Sequence, residues 1–450
     1  MNILTINGSP SGDASITLQT MLYLQQLFPD HIYAQLNASQ SIRALEKDFS
    51  AAEEVLKEAD LIVFCYPVYT FLVPSQLHRF LELITEHEMD LSGKYAVQIS
   101  TSKHFYDVTA HRFIKERCSD FGMKYIDGLS ADMEDLLSKK GQQEAEAFFA
   151  HVLWCTEHDY YEKLPEKNTE TFIADQVTVP ETETEKKSGH QIVIVTDLSE
   201  EQRNLSGMIG RFRSISAYPC RIVNLHDFPF AGGCLGCFHC ASDGVCIYKD
   251  GFDSFLREQI QNADATVYAF TIKDHSMGHR FRLYDDRQFC NGHRTVTMGK
   301  PVGYLIDGKL SAEENLQILM KARAQVGGNY LAGIACNEAD GNERIDQLAD
   351  NLAYALEHDY NQPADFYGVG GMKIFRDLIY QMQGMMKEDH RFYKEHGFYD
   401  FPQKRKGMIL GMYLVGSMMN NPKLKNKMNM TDGMLMPYRQ IIKKAGKKKK

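Results

Sequence analysis

Thirteen residues hold four of the chain's ten cysteines. They read Cys234-Leu-Gly-Cys237-Phe-His-Cys240-Ala-Ser-Asp-Gly-Val-Cys246, a Cys-x2-Cys-x2-Cys-x5-Cys spacing. Thiolates this close can hold a 4Fe-4S cluster or a tetrahedral zinc ion; without a metal they are redox-active or free thiols. Leu235 and Phe238 between them give the segment an apolar face. A second stretch with chemical potential is Met1 to Thr17. Asn2 to Ile6 is a short apolar run with β-branched residues, and Gly8, Ser9 and Pro10 cannot continue it as a strand. Ser15 or Thr17 can cap a following helix with apolar Leu18, Met21, Leu22 and Leu24. Strand, polar glycine-containing turn and helix start make a cradle for an anion, with backbone N–H groups and hydroxyls at the positive end of a helix. No Lys or Arg precedes Arg43, and Asp13 lies in the turn. Neutral donors suit a phosphate monoester and disfavour the triphosphate of a Gly-Lys-Ser/Thr loop. The same turn also occurs in α/β folds where it binds nothing.

The elements around these stretches alternate. Strand patterns at His31–Leu36, Leu61–Tyr66, Tyr95–Ser100 and Met123–Ile126 follow the first, separated by helical patterns. Leu61–Tyr66 is a continuous apolar run, as in a strand covered on both faces. After the helical pattern Gln142–Tyr161 the composition changes. Lys163 to His190 is rich in Glu, Thr and Lys, with Pro165 and Pro180, and reads as a linker with one short strand at Phe172–Ile173. The alternation restarts at Gln191, with strands at Cys220–Leu225, Ala265–Phe270, Val302–Ile306 and Tyr330–Ala335. The expected architecture is α/β: two doubly wound domains with parallel five-stranded sheets, at 1–162 and 191–360, joined by a linker at 163–190. Residues 361–450 form a mostly helical or irregular extension with a basic tail, in which Met382, Met385 and Met386 are expected to pack on the body.

A chain of 450 residues needs more than one core. Its net charge of −9 argues against a general nucleic-acid binder. The cysteines are not spread like a secreted disulfide framework, and in a cytosolic chain their crowding points to metal or redox chemistry. Met1 leads straight into a core strand, so no signal peptide is expected and the location is expected to be cytoplasmic. Met408–Met419 is the nearest approach to a membrane span and is too short. Lys443, Lys444 and Lys447–Lys450 make a basic end that reads as a solvated tail able to touch anionic lipid.

Three segments in order carry a family resemblance: Gly8-Ser9-Pro10 after the first strand, Pro67-Val68-Tyr69 after the third, and Pro74-Ser75-Gln76-Leu77 opening the next helix. With them the chain resembles the NAD(P)H-dependent FMN reductase and iron–sulfur flavoprotein group of the flavodoxin-like superfamily, as a tandem of two such domains. The resemblance implies an FMN phosphate at Ser9, Ser11, Ser15 and Thr17. It implies ring contacts from Pro67, Val68 and Tyr69, with Thr101, Ser102, Lys103 and His104 on the other side. Lys103 or His104 would offset negative charge on the reduced ring. It implies that Cys234, Cys237, Cys240 and Cys246 ligate a 4Fe-4S cluster, although related reductases keep similar cysteines without one. This chain has Ser11 where the group usually has Arg.

The second half departs further. Its first strand ends Val195-Thr196-Asp197-Leu198-Ser199, where carboxylates would repel a phosphate, and Thr271–Ser276 replaces Pro-Val-Tyr. His275, His279 and His293 with Cys290 are a candidate metal group. Arg280, Arg282, Arg287 and Arg294 are candidate cations for a nicotinamide phosphate or an acidic partner. The leading expectation is an FMN-dependent oxidoreductase that passes hydride from NAD(P)H to a flavin, quinone or redox-protein acceptor, working as a homo-oligomer. The alternatives are an electron carrier without nicotinamide turnover and a non-catalytic interaction protein.

Overall fold

Strand β1 (Asn2–Asn7) is buried over its last five residues, the apolar Ile3, Leu4 and Ile6 together with the polar Thr5 and Asn7. It pairs in parallel with β2 (Ile32–Leu36) on one side and β3 (Leu61–Pro67) on the other. Strand β4 (Tyr95–Ser102) continues the sheet beyond β3. The fifth position is filled by two short pieces, β5 (Lys124–Tyr125) and β6 (Leu129–Asp132), both paired with β4. One strand at Met123–Ile126 was expected. Asp127-Gly128 breaks it, and the polar Ser130 and Asp132 hide the second piece from a search for apolar runs.

The second sheet repeats the pattern with β7 (Ile192–Thr196), β8 (Cys220–Asn224), β9 (Ala265–Thr271), β10 (Pro301–Asp307) and β11 (Tyr330–Cys336). Its order is β11-β10-β9-β7-β8; the first is β2-β1-β3-β4-β5. In chain order both are 2-1-3-4-5, the flavodoxin-like arrangement. In this computed structural model, which describes residues 1–163, 172–419, 435 and 438–443, the expected fold class holds. Part of the linker and Lys444 and Lys447–Lys450 lie outside the described residues. Phe172–Ile173 forms no strand, and Ile173 is exposed: this polar stretch offers a lone apolar pair no sheet edge to join. Met386 is buried as expected, but Met385 is exposed.

Contacts divide the chain at Phe392, with Met1–Phe392 as one unit and Tyr393–Lys450 as another. Inside the first unit the two halves pair through helices Ser75–Glu86 and Gly278–Arg287. Each caps the other. The Ser75 amide donates to Asp286 Oδ2 at 2.6 Å, and the His279 amide donates to Glu82 Oε1 at 2.8 Å. Both carboxylates are almost fully buried and meet first-turn amides that lack an intrahelical acceptor. The turns before these helices also match. Tyr69 bridges Leu72 and Lys273 bridges Ser276, each across two residues at positive φ: Thr70 (42°) and Phe71 (75°), Asp274 (53°) and His275 (60°). This reciprocity is what a two-fold interface produces between subunits. Here it lies within one chain.

Arg282, wholly buried, holds the first of these turns. Its guanidinium donates to the carbonyls of Tyr69, Thr70 and Val73 and pairs with Asp285 at 2.5 Å and Asp286 at 2.7 Å. Burial pushes the Asp286 carboxyl up to about 6 despite that partner. Arg282→Met is expected to destabilise the chain by about 3–5 kcal/mol, because it leaves buried carboxylates and carbonyls without their donor. In urea unfolding, adding Asp286→Asn should recover part of this loss. An unchanged midpoint in the single variant would contradict the role.

Candidate functional site

The turn after β1 is tied from within. Asn7 Nδ2 donates to the Gly12 carbonyl at 2.9 Å, and Asn7 Oδ1 accepts from the Ser9 amide at 3.1 Å. Ser15 caps helix Ile16–Leu27 through the Leu18 amide, as its type and position predict. The Ile16 and Thr17 amides start that helix with no carbonyl a full turn back. Thr17 Oγ1 lies 2.5 Å from Thr101 Oγ1, joining the turn to the end of β4. Ser9, Ser15 and Thr17 are buried and Ser11 is exposed, and all four line one cavity of about 270 Å³.

Pro67, Val68 and Tyr69 line the same cavity, as do Thr101, Ser102 and Lys103. The Val68 amide donates to the Thr101 carbonyl at 3.2 Å, which fixes the two strand ends side by side. Lys103 pairs with Asp132 at 2.8 Å and Glu134 at 3.6 Å. Burial alone would lower its pKa, but these carboxylates raise it above the ordinary lysine value. His104 stands apart. Its backbone is left-handed (φ 55°), its ring meets Asp107 at 2.9 Å, and it is about half exposed outside the cavity lining.

The second half closes this cavity. Cys234, Cys237, Cys240 and Cys246 all line it, with Leu235 and Phe238. Two glycines permit the approach. A Cβ on Gly236 would sit 2.0 Å from Tyr69 Oη, on a backbone with φ of +64°, and one on Gly233 would sit 2.2 Å from Ser75 Oγ. Arg287 fastens both ends of the segment: it forks onto Asp250 at 2.8 Å twice and donates to the Gly232 carbonyl at 2.9 Å. That pairing outweighs burial and holds Asp250 down at about 2. Burial pushes the Cys240 thiol up to about 12 and Cys234 above its ordinary value too, so metal-free chain keeps both protonated.

A further wall comes from helix Phe366–Gln381, whose Ile374, Phe375 and Leu378 face the cavity, with Phe375 stacked on Phe105 at 4.0 Å. The sequence carries the signal for this wall in the i, i+1, i+4 spacing of these residues, but not its destination. The arginines of the second half also differ from expectation. Arg282 and Arg287 are buried in internal pairs, so they are not free cations for a ligand. Asp285 and Asp286, three and four residues after Arg282, are the signal for such self-pairing. The three histidines do not come together. His275 meets Asp120 and Glu313, His279 meets Glu82, and His293 meets Asp389.

The donors fit the groups the sequence suggests. Neutral hydroxyls and first-turn amides at one end match a phosphate monoester. Backbone groups at the ends of β3 and β4 and the apolar walls match a planar heterocycle. Among the described residues, the tight three-ligand groups are His78–Glu82–Asp274 and Glu116–His275–Glu313, and the cysteines are in neither. Thiolates on the separate irons of a cluster stand farther apart than those around a single ion. The corresponding turn of the second half, after β7, presents Asp197, whose carboxyl burial pushes up to about 6. It offers no comparable cradle.

Residues 1–153 match the family model described as the flavodoxin-like fold. An iron–sulfur flavoprotein of Archaeoglobus fulgidus is 27% identical over 174 residues, covering 37% of this chain and 79% of that protein. The chain therefore carries a flavodoxin-like domain and is homologous to an iron–sulfur flavoprotein. Solved structures align at lower identity. An FMN-dependent NADH-azoreductase of Bacillus anthracis in complex with FMN is 14% identical, over 34% of this chain and 98% of that one, with a TM-score of 0.27. An NAD(P)H:quinone oxidoreductase of Methanothermobacter marburgensis is 12% identical, over 37% and 98%, with a TM-score of 0.27.

The contact between Gly236 and Tyr69 is open to test. Gly236→Ala is expected to cost roughly 1–3 kcal/mol, from backbone strain plus the clash with the tyrosine hydroxyl. Gly251→Ala, also at positive φ (80°) but with nothing within 4 Å of its new Cβ, carries the strain alone. Urea midpoints should place the first variant clearly below the second. Equal midpoints would mean that the cysteine segment does not pack on Tyr69.

Proposed function

We propose that the chain is an FMN-dependent oxidoreductase with its flavin in the crevice of the first half. Residues 1–162 serve as the flavin domain and 191–360 as the cysteine-bearing domain. The observation that carries this reading is the convergence of three elements on one cavity: a neutral hydroxyl cradle, the Pro67–Tyr69 turn, and the end of β4. Ser9, Ser11, Ser15 and Thr17 hold the phosphate with uncharged donors. Pro67, Val68 and Tyr69 flank one side of the ring, and Thr101, Ser102 and Lys103 the other. Lys103, held by Asp132 and Glu134, would offset negative charge on the reduced ring. His104, turned to Asp107, is left out of this set.

FMN held there would supply two-electron chemistry between NAD(P)H and an acceptor, as hydride to a flavin or quinone or as electrons to a redox protein. The protein's share is position and dielectric. Arg282 fixes the Tyr69 turn, Phe375 and Leu378 exclude water, and Asn7 keeps the cradle's amides in place.

A second reading is favoured by the four cysteines on the same cavity and by the name of the Archaeoglobus relative. In it the chain is an iron–sulfur flavoprotein that carries single electrons without turning over nicotinamide. Cys234, Cys237, Cys240 and Cys246 are then the ligands, held in register by Arg287 and Asp250.

Protein purified without oxygen distinguishes these readings. The expected result is a flavin spectrum that NADH or NADPH bleaches, with Thr17→Val weakening FMN binding about tenfold through one lost hydrogen bond. Iron and sulfide in stoichiometric amounts, with a flavin that nicotinamide leaves oxidised, would favour the second reading. Protein that neither retains nor takes up FMN would overturn both.

A further inference from the structure

The second unit carries an apolar surface of unusual form. In helix Lys406–Met419, Met408 is 60% exposed, Leu410 64%, Tyr413 74% and Leu414 64%, with Ile409 and Met412 also exposed. At about 100° per residue the apolar triplets 408–410 and 412–414 together cover about 240° of the helix circumference, and Val415 and Met418 fall in the remaining arc. The exposed helix thus has no polar face. Farther along, Leu435, Tyr438, Ile441 and Ile442 are exposed as well. A helix apolar all round belongs in a core or in lipid. A single partner helix or a second copy of the chain would cover one stripe and leave the rest in water, whereas lipid covers every face.

Length and charge narrow the environment further. Fourteen residues at about 1.5 Å each reach about 21 Å, short of the roughly 30 Å hydrocarbon core, so the helix can embed in one leaflet but not cross. None of the described helices is long and apolar enough to span a membrane. Residues 393–450 contain fourteen Lys and Arg against three Asp and Glu, in a chain of net charge −9. The first 392 residues are therefore strongly acidic, and the sequence concentrates its excess positive charge in residues 393–450. Lys404, Arg405 and Lys406 stand at its N-terminal end. Cations there oppose the helix dipole, and anionic head groups beside them would offset both the cations and the free first-turn amides.

We propose that helix Lys406–Met419 docks the protein on an anionic bilayer surface, embedded among the acyl chains, with Lys404, Arg405 and Lys406 at its N-terminal end on acidic head groups. An RNA or another polyanion would use the charges and leave the apolar helix uncovered. Binding requires both the charges and the apolar residues.

The test uses full-length protein sedimented with phosphatidylcholine vesicles, with and without phosphatidylglycerol. Binding should be at least about tenfold tighter on the anionic vesicles and should weaken with salt. Arg405→Gln with Lys406→Gln should reduce that preference, and Leu410→Glu with Leu414→Glu should abolish binding. Because these side chains are exposed, circular dichroism should show all variants folded. In a Trp154→Phe background, the indole introduced by Tyr413→Trp should shift its emission to the blue when anionic vesicles are added. The proposal is overturned by equal binding to both vesicle types, by no binding, or by retention on RNA without vesicle binding. A blue-shifted indole in a lipid-free dimer that ignores vesicles would also overturn it.

Discussion

A buried arginine ties the two halves of this chain together at the place where the candidate site needs rigidity. Arg282 comes from the second half, yet its hydrogen bonds end on the carbonyls of Tyr69, Thr70 and Val73 in the first. Those carbonyls belong to a turn with two non-glycine residues at positive φ, a conformation that persists only where its surroundings enforce it. Asp285 and Asp286 neutralise the guanidinium, and Asp286 also caps the helix that leaves the turn. One ionic cluster thereby sets the turn, the helix start and the distance between the halves. Desolvating such a cluster is costly, and its stabilising value depends on every partner being present.

The two halves share an architecture and a reciprocal interface but have diverged at their strand ends. In the first half the hydroxyl cradle and the Pro67–Tyr69 turn remain around a cavity. In the second, the turn after β7 offers Asp197, and the turn after β9 holds His275 between Asp120 and Glu313. The second half contributes to the first half's crevice instead, through the cysteine segment fastened by Arg287. The pairing of the two halves is symmetric but their strand ends are not: one crevice is furnished, and the other half serves as its wall.

Much of this was legible in the residues. Short apolar-rich runs bounded by turn residues marked both sheets, and Ser15 stood where a helix cap belongs. The fifth strand of the first sheet was harder, because its two pieces are short and the second is polar. The site was legible only in its local parts. Thr17 and Thr101, or Gly236 and Tyr69, meet through the fold, and no spacing in the chain announces such pairs. Arg282 and Arg287 read as available cations because their burial is a property of the packing. For Arg282 the neighbouring Asp285 and Asp286 were a local sign of internal pairing; for Arg287 there was none, because its partner Asp250 comes from a distant part of the chain. The Phe375 wall had helical spacing, but spacing does not say what a face packs against.

The central claim is that one chain builds one flavin crevice, in its first half, with the second half as its cover. The most direct measurement is an equilibrium titration of the flavin-free full-length chain with FMN, followed by calorimetry or flavin fluorescence quenching. The account predicts saturation at one FMN per chain, with Asp197→Ser in the second half leaving that number unchanged. Saturation at two FMN per chain would contradict it, because both crevices would then hold a flavin.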